Sequence, residues 1–154
     1  MRALVTVSES VLVPAAPDEL WPYLTEKDLL RAWRPGLEQF GQGELPTMGE
    51  TLPISQEVAG HRLTGEAVLV QIDPGRALCY ELGWPGHGYL AVRYDLWPQK
   101  TGCKLVATQT VGAPGIPLVR ALFGRLFVAP KLREELRRDL GELREQLAGV
   151  ANSH

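Results

Sequence analysis

The chain has 154 residues, long enough for one domain with a substantial core. Apolar residues make up 45% and charged residues 22%, an ordinary globular balance. The formal charge of −2 leaves no electrostatic footprint for nucleic acid, and no apolar run approaches the length of a membrane span.

Residues 3–13 alternate apolar and polar with a period of two. Val5, Val7, Val11 and Val13 share one face of that strand, and Glu9 lies among them. Pro17 suits a first helical position, and Asp18 and Glu19 suit the positive end of a helix. Pro22 lacks an N–H to donate, so the helix is expected to be short. Thr25 reads as the N-cap of a second helix that reaches about Trp33 and stops before Pro35-Gly36. Trp21 and Trp33 fall at helical positions that suit core packing.

Strand signals follow near 37–44, 48–58, 62–72, 77–84, 88–97 and 103–111. Short turn-forming stretches separate them, such as Asp73-Pro74-Gly75 and Gln99-Lys100-Thr101-Gly102. The short connections favour an antiparallel meander, since parallel strands need long crossovers. The apolar phases Leu78/Tyr80/Leu82/Trp84, Leu90/Val92/Tyr94/Leu96 and Leu105/Ala107/Gln109/Val111 should face inward. Glu81, Arg93, Asp95, Lys104 and Thr108 should face water. The turns at 59–61, 85–88 and 112–117 belong to one end of such a meander, and their Gly, Pro and His content suits a movable mouth.

Residues 116–148 read as helix, with Leu132, Leu136, Leu140, Leu143 and Leu147 forming a stripe. Pro130 should kink that helix or restart it. Val119, Leu122, Phe123, Leu126 and Phe127 upstream offer a wider apolar face, fit to cover a cavity.

The fold class is therefore α+β: a curved antiparallel sheet of about seven strands around a long C-terminal helix, with two short helices after the first strand. One domain, 1–154, is expected. The inner wall is mostly apolar with sparse polar groups, the usual make-up of a ligand cavity. Glu9 is the candidate acid–base residue, because a carboxylate on an apolar wall must be bonded, paired or protonated. A structural pair with Gln109 or an arginine of the last helix is the alternative. Candidate ligand-binding residues are Glu9, Tyr80, Leu82, Trp84, Val92, Tyr94, Gln109, Val119, Phe123 and Phe127. No metal or cofactor is expected. His61, His87 and His154 lack ligand spacing, and no nucleophile elbow, phosphate loop or dinucleotide fingerprint occurs. Cys79 and Cys103 read as buried small hydrophobes in a reduced, cytoplasmic chain.

The order of elements resembles the START-like superfamily over about residues 3–148. Val13-Pro14-Ala15-Ala16-Pro17-Asp18-Glu19-Leu20-Trp21 is similar to that superfamily's passage from first strand to first helix. Leu24-Thr25 through Trp33 is similar to its second helix, and Ile72-Asp73-Pro74-Gly75-Arg76-Ala77-Leu78 to its mid-sheet hairpin. Gln99-Lys100-Thr101-Gly102-Cys103-Lys104-Leu105 resembles the later hairpin, with the usual Gly-Thr order inverted at Thr101-Gly102. The superfamily (SRPBCC) includes polyketide cyclase/dehydrase-like proteins, the birch-pollen-allergen family and activators of a chaperone ATPase. The resemblance implies a helix-grip fold that binds a hydrophobic or amphipathic small molecule, a lipid among the options, between sheet and terminal helix. A ligand-binding protein is favoured over an enzyme. A cyclase/dehydrase-type enzyme and a chaperone-regulating module are the alternatives. The expected partner is a hydrophobic small molecule, with no nucleic acid and no stable membrane insertion, in a monomer or homodimer.

Overall fold

The computed structural model describes residues 2–34, 37–40, 48–49, 51–58, 61–84, 88–113 and 128–152. Its first element is β1 (Arg2–Val13). Helices α1 (Pro17–Thr25) and α2 (Lys27–Trp33) follow. Six strands come next: β2 (Leu37–Phe40), β3 (Thr51–Val58), β4 (His61–Asp73), β5 (Ala77–Trp84), β6 (Gly88–Gln99) and β7 (Gly102–Ala113). The last element is α3 (Ala129–Asn152). Every pairing is antiparallel, in the order β1-β7-β6-β5-β4-β3-β2, so β1 closes the meander by pairing with the last strand. The sheet is the curved, antiparallel layer of a helix-grip fold.

The strand phases set which residues reach the core. Leu78, Tyr80 and Leu82 of β5 are buried, as are Leu90, Val92, Tyr94 and Leu96 of β6 and Leu105, Ala107 and Gln109 of β7. Val5, Val7 and Val13 join them from β1. All five leucines of the α3 stripe are buried against this layer. The opposite face is wetter. On it Arg93 binds Asp95 at 2.9 Å and Gln71 Oε1 at 2.7 Å, and Thr6 and Ser8 meet Thr110 and Thr108 across the β1–β7 ladder.

Two local expectations are corrected. Helix α1 runs through Pro22 to Thr25, and the Thr25 hydroxyl donates to the Trp21 carbonyl at 3.1 Å. Thr25 therefore closes α1, and Glu26 occupies the N-cap of α2. A threonine can bond back to the preceding turn as readily as it can cap the next one. Met48 and Gly49, expected to open the next strand, form a turn ahead of β3, whereas residues 41–47 lie outside the described residues. Pro130 is the second residue of α3. The apolar segment before it, with Val119, Phe123 and Phe127, lies outside the described residues, as do the turn residues 59–60, 85–87 and 114–117.

Gly102 opens β7 with a φ of 151°. A Cβ there would lie 2.1 Å from the Val13 carbonyl oxygen, at the end of β1 that pairs with the start of β7. Gly141, within α3, has open space at its Cβ position. Gly102→Ala is expected to cost about 2 kcal/mol or more, from backbone strain plus displacement of β1. Gly141→Ala is expected to stabilise by roughly 0.5–1 kcal/mol. Denaturant midpoints of the two variants, moving in opposite directions, would check both.

Candidate functional site

Arg34 follows the last residue of α2, and its N–H donates to the Leu30 carbonyl at 3.0 Å. Pro35 and Gly36 come next and bar continuation of the helix. Its side chain therefore turns into the space between sheet and α3, where the residue is only 4% exposed. Three neighbours hold α2 in place for this. Trp33 Nε1 donates to the Tyr23 carbonyl at 2.9 Å, Gln146 Nε2 of α3 donates to the Ala32 carbonyl at 2.8 Å, and Leu30 is buried in the core.

The guanidinium meets two phenols. Arg34 Nη1 donates to Tyr80 Oη at 3.3 Å and to Tyr94 Oη in a shorter contact. The register aligns Leu78 with Tyr94 and Tyr80 with Val92, so the two tyrosines are diagonal neighbours on one face of β5 and β6. The Tyr80 hydroxyl donates to Gln56 Oε1 of β3 at 3.0 Å. Asp139 of α3 faces Arg34 Nε at 3.8 Å and Arg138 Nε at 3.5 Å. The indole of Trp33 completes the surround: Arg34 Cζ lies 6.0 Å from its centroid, and Tyr94 meets it edge-on at 6.0 Å and 68°. Gln56 is 1% exposed, and its Nε2 has no hydrogen-bond partner among the described residues.

Electrostatics fix the protonation of this cluster. Burial opposes the Arg34 cation, but Tyr94, Tyr80 and Asp139 outweigh that cost and its proton is held more tightly than usual. Burial also raises both phenols, with Arg34 acting in the other direction. Tyr80 and Tyr94 are therefore neutral hydroxyls at neutral pH. They offer and accept hydrogen bonds, and they do not serve as phenolate bases.

The residues singled out from sequence are distributed as follows. Tyr80 and Tyr94 come together at Arg34. Leu82 and Val92 are fully buried on the inner wall, and Gln109 is buried on β7 opposite Val7. Glu9 lies on the helix side of β1, in the expected phase, and accepts from Arg137 Nε of α3 at 3.0 Å. Its side chain is 18% exposed and that of Arg137 is 69% exposed, so the pair is partly solvated. The side chain of Trp84, together with Val119, Phe123 and Phe127, lies outside the described residues. Cys79 and Cys103 are free thiols. Among the described residues no group of His, Cys, Asp and Glu could hold a metal ion, and no helix is long and apolar enough to cross a membrane.

Sequence reasoning missed Arg34, Gln56 and Asp139. Asp139 carried a usable signal. It lies three residues after Leu136 and four before Leu143, within the leucine stripe, so a buried partner was implied. Gln56 sits in a strand that Pro53 and its polar residues made hard to phase.

Residues 5–148 match the family described as polyketide cyclase/dehydrase and lipid transport, and the chain belongs to it. It is thus a START-like (SRPBCC) protein with a helix-grip fold. A protein from Rhodobacter sphaeroides is similar at 18% identity and a TM-score of 0.70, covering 96% of this chain and 94% of that one. The di-domain ARO/CYC StfQ from the steffimycin biosynthetic pathway is similar at 18% identity and 0.68, covering 96% of this chain and 52% of that one. The structure of Ara h 8.0201 is similar at 14% identity and 0.61, covering 97% of this chain and 99% of that one. None of the curated proteins matches the chain.

Two measurements test the cluster. Tyrosine in the unfolded chain ionises near pH ~10. Below that, folded and unfolded states carry the same tyrosine protons. Above it, the unfolded chain releases protons that Tyr80 and Tyr94 retain, so stability should fall as pH rises. Phenolate absorbance should show a late-titrating fraction that Tyr80→Phe and Tyr94→Phe remove. Asp139→Asn strips the buried cation of its carboxylate and is expected to cost about 3 kcal/mol or more by chemical denaturation.

Proposed function

We propose that this chain is a cytoplasmic binding protein for an amphipathic small molecule held between the concave face of the sheet and α3. The observation that carries the reading is a polar cluster at the core: a buried guanidinium, two neutral phenols and an amide whose N–H group has no partner among the described residues, set in a mostly apolar wall. Aliphatic residues such as Leu82, Val92 and Ala107 would take the apolar body of the ligand by burial, worth about 25 cal/mol per Å². The cluster of Arg34, Tyr80, Tyr94 and Gln56 would orient its polar end. Membership in a family of cyclases and lipid carriers supports the same reading. The free thiols of Cys79 and Cys103 accord with a reducing compartment.

A second reading, an enzyme of the cyclase/dehydrase kind, is favoured by one observation. A fixed cation beside two neutral hydroxyls is an arrangement that polarises a bound carbonyl. In that reading Arg34 and Tyr94 would act as electrophilic donors. Glu9, paired with Arg137, would keep the wall's rim in place.

The binding reading is tested with the purified protein. Native mass spectrometry should show a non-covalent adduct, or the delipidated protein should bind the uncharged dye Nile red saturably at one site. Absence of both an adduct and saturable dye uptake would refute it.

A further inference from the structure

Gln56 Nε2 is the described polar group whose hydrogen-bonding capacity goes unused in the core. The orientation of its amide follows from its neighbours. Arg34 already donates to Tyr80 Oη, so the Tyr80 proton is the one available to Gln56, and the amide oxygen must turn toward it. The NH2 end is thereby left in the cluster with nothing to bond among the described residues. A buried donor without an acceptor costs about 1–3 kcal/mol.

The rest of the cluster shows the same imbalance. The Arg34 guanidinium has five N–H groups and accepts nothing. Tyr80 Oη accepts one of its bonds and Tyr94 Oη another. Gln56 Oε1 is already occupied by Tyr80, and the Asp139 carboxylate is shared between Arg34 and Arg138. Among the described residues, the bonds already made leave Gln56 Nε2 without an acceptor.

From this imbalance we infer that the polar end of the ligand is an sp² oxygen acceptor without a proton of its own, a carbonyl or carboxylate, received by Gln56 Nε2 beside Arg34. The inference rests on the binding reading above and narrows it to a chemical class. A hydroxyl would bring a further donor into a site that lacks acceptors. An ammonium would bring only donors and a second cation.

The test uses the delipidated protein and Nile red displacement by four chain-matched medium-chain probes: a methyl ketone, a carboxylate, a primary alcohol and a primary amine. Ketone or carboxylate is expected to displace the dye at least ~5-fold more tightly than the alcohol, about one net hydrogen bond. The amine should compete worst. The order of ketone against carboxylate reports whether the head is charged, and either order supports the acceptor class. Gln56→Glu replaces the unused donor with an acceptor while keeping an oxygen for Tyr80, so it should invert the preference toward the alcohol. Gln56→Leu, which removes the amide altogether, should flatten the preference among the four probes. Equal binding of alcohol and ketone by the wild type, or an unchanged order in Gln56→Glu, would overturn the inference while leaving the binding reading intact. Failure of all four probes and of the dye would instead strike the binding reading itself.

Discussion

One buried charge constrains this fold more than any other group. Arg34 leaves water for a space between sheet and helix, and an isolated ion there would be prohibitively unstable. The charge and its compensation come from four separate elements. Helix α2 delivers the arginine, β5 and β6 supply the phenols, and α3 supplies Asp139. Gln56 extends the network to β3 through Tyr80. These elements are distant in the chain, so the network forms only when the whole meander has closed and α3 has docked. A slip of one residue in β5 or β6 would turn its tyrosine to the opposite face and strand the guanidinium.

Glu9 and Asp139 both face the helix side, and their surroundings give them different work. Asp139 sits within the leucine stripe and balances a buried cation. Glu9 lies toward the edge, on β1, and meets an arginine that is mostly in solvent. An exposed pair of that kind contributes at most about 1 kcal/mol. The contrast shows why phase alone is a weak guide to a site. Both lie on the helix side of the sheet, yet only Asp139 joins the cluster.

The sheet was legible because alternation is a local signal. The strands predicted at 77–84, 88–97 and 103–111 correspond to Ala77–Trp84, Gly88–Gln99 and Gly102–Ala113, and the inner phases follow at the described side chains, Trp84 lying outside them. The leucine stripe of α3 was equally plain. Boundaries were less so where two uses of one residue compete, as with Thr25. Of the cluster, Tyr80 and Tyr94 were found because they interrupt apolar phases with hydroxyls. Arg34 was not, since an arginine next to Pro35-Gly36 reads as the solvated end of a helix.

The sequence by itself determined the element order, the antiparallel meander and the faces that reach the core. Those depend on periodicity and turn chemistry, which operate over a few residues. Only the tertiary structure decided which polar groups meet. Gln56 and Tyr80 stand two strands apart, and Arg34 and Asp139 are separated by most of the chain. Their encounter depends on how far the sheet curls and where α3 lies across it. That geometry arises from the packing of every strand at once, and no local pattern encodes it.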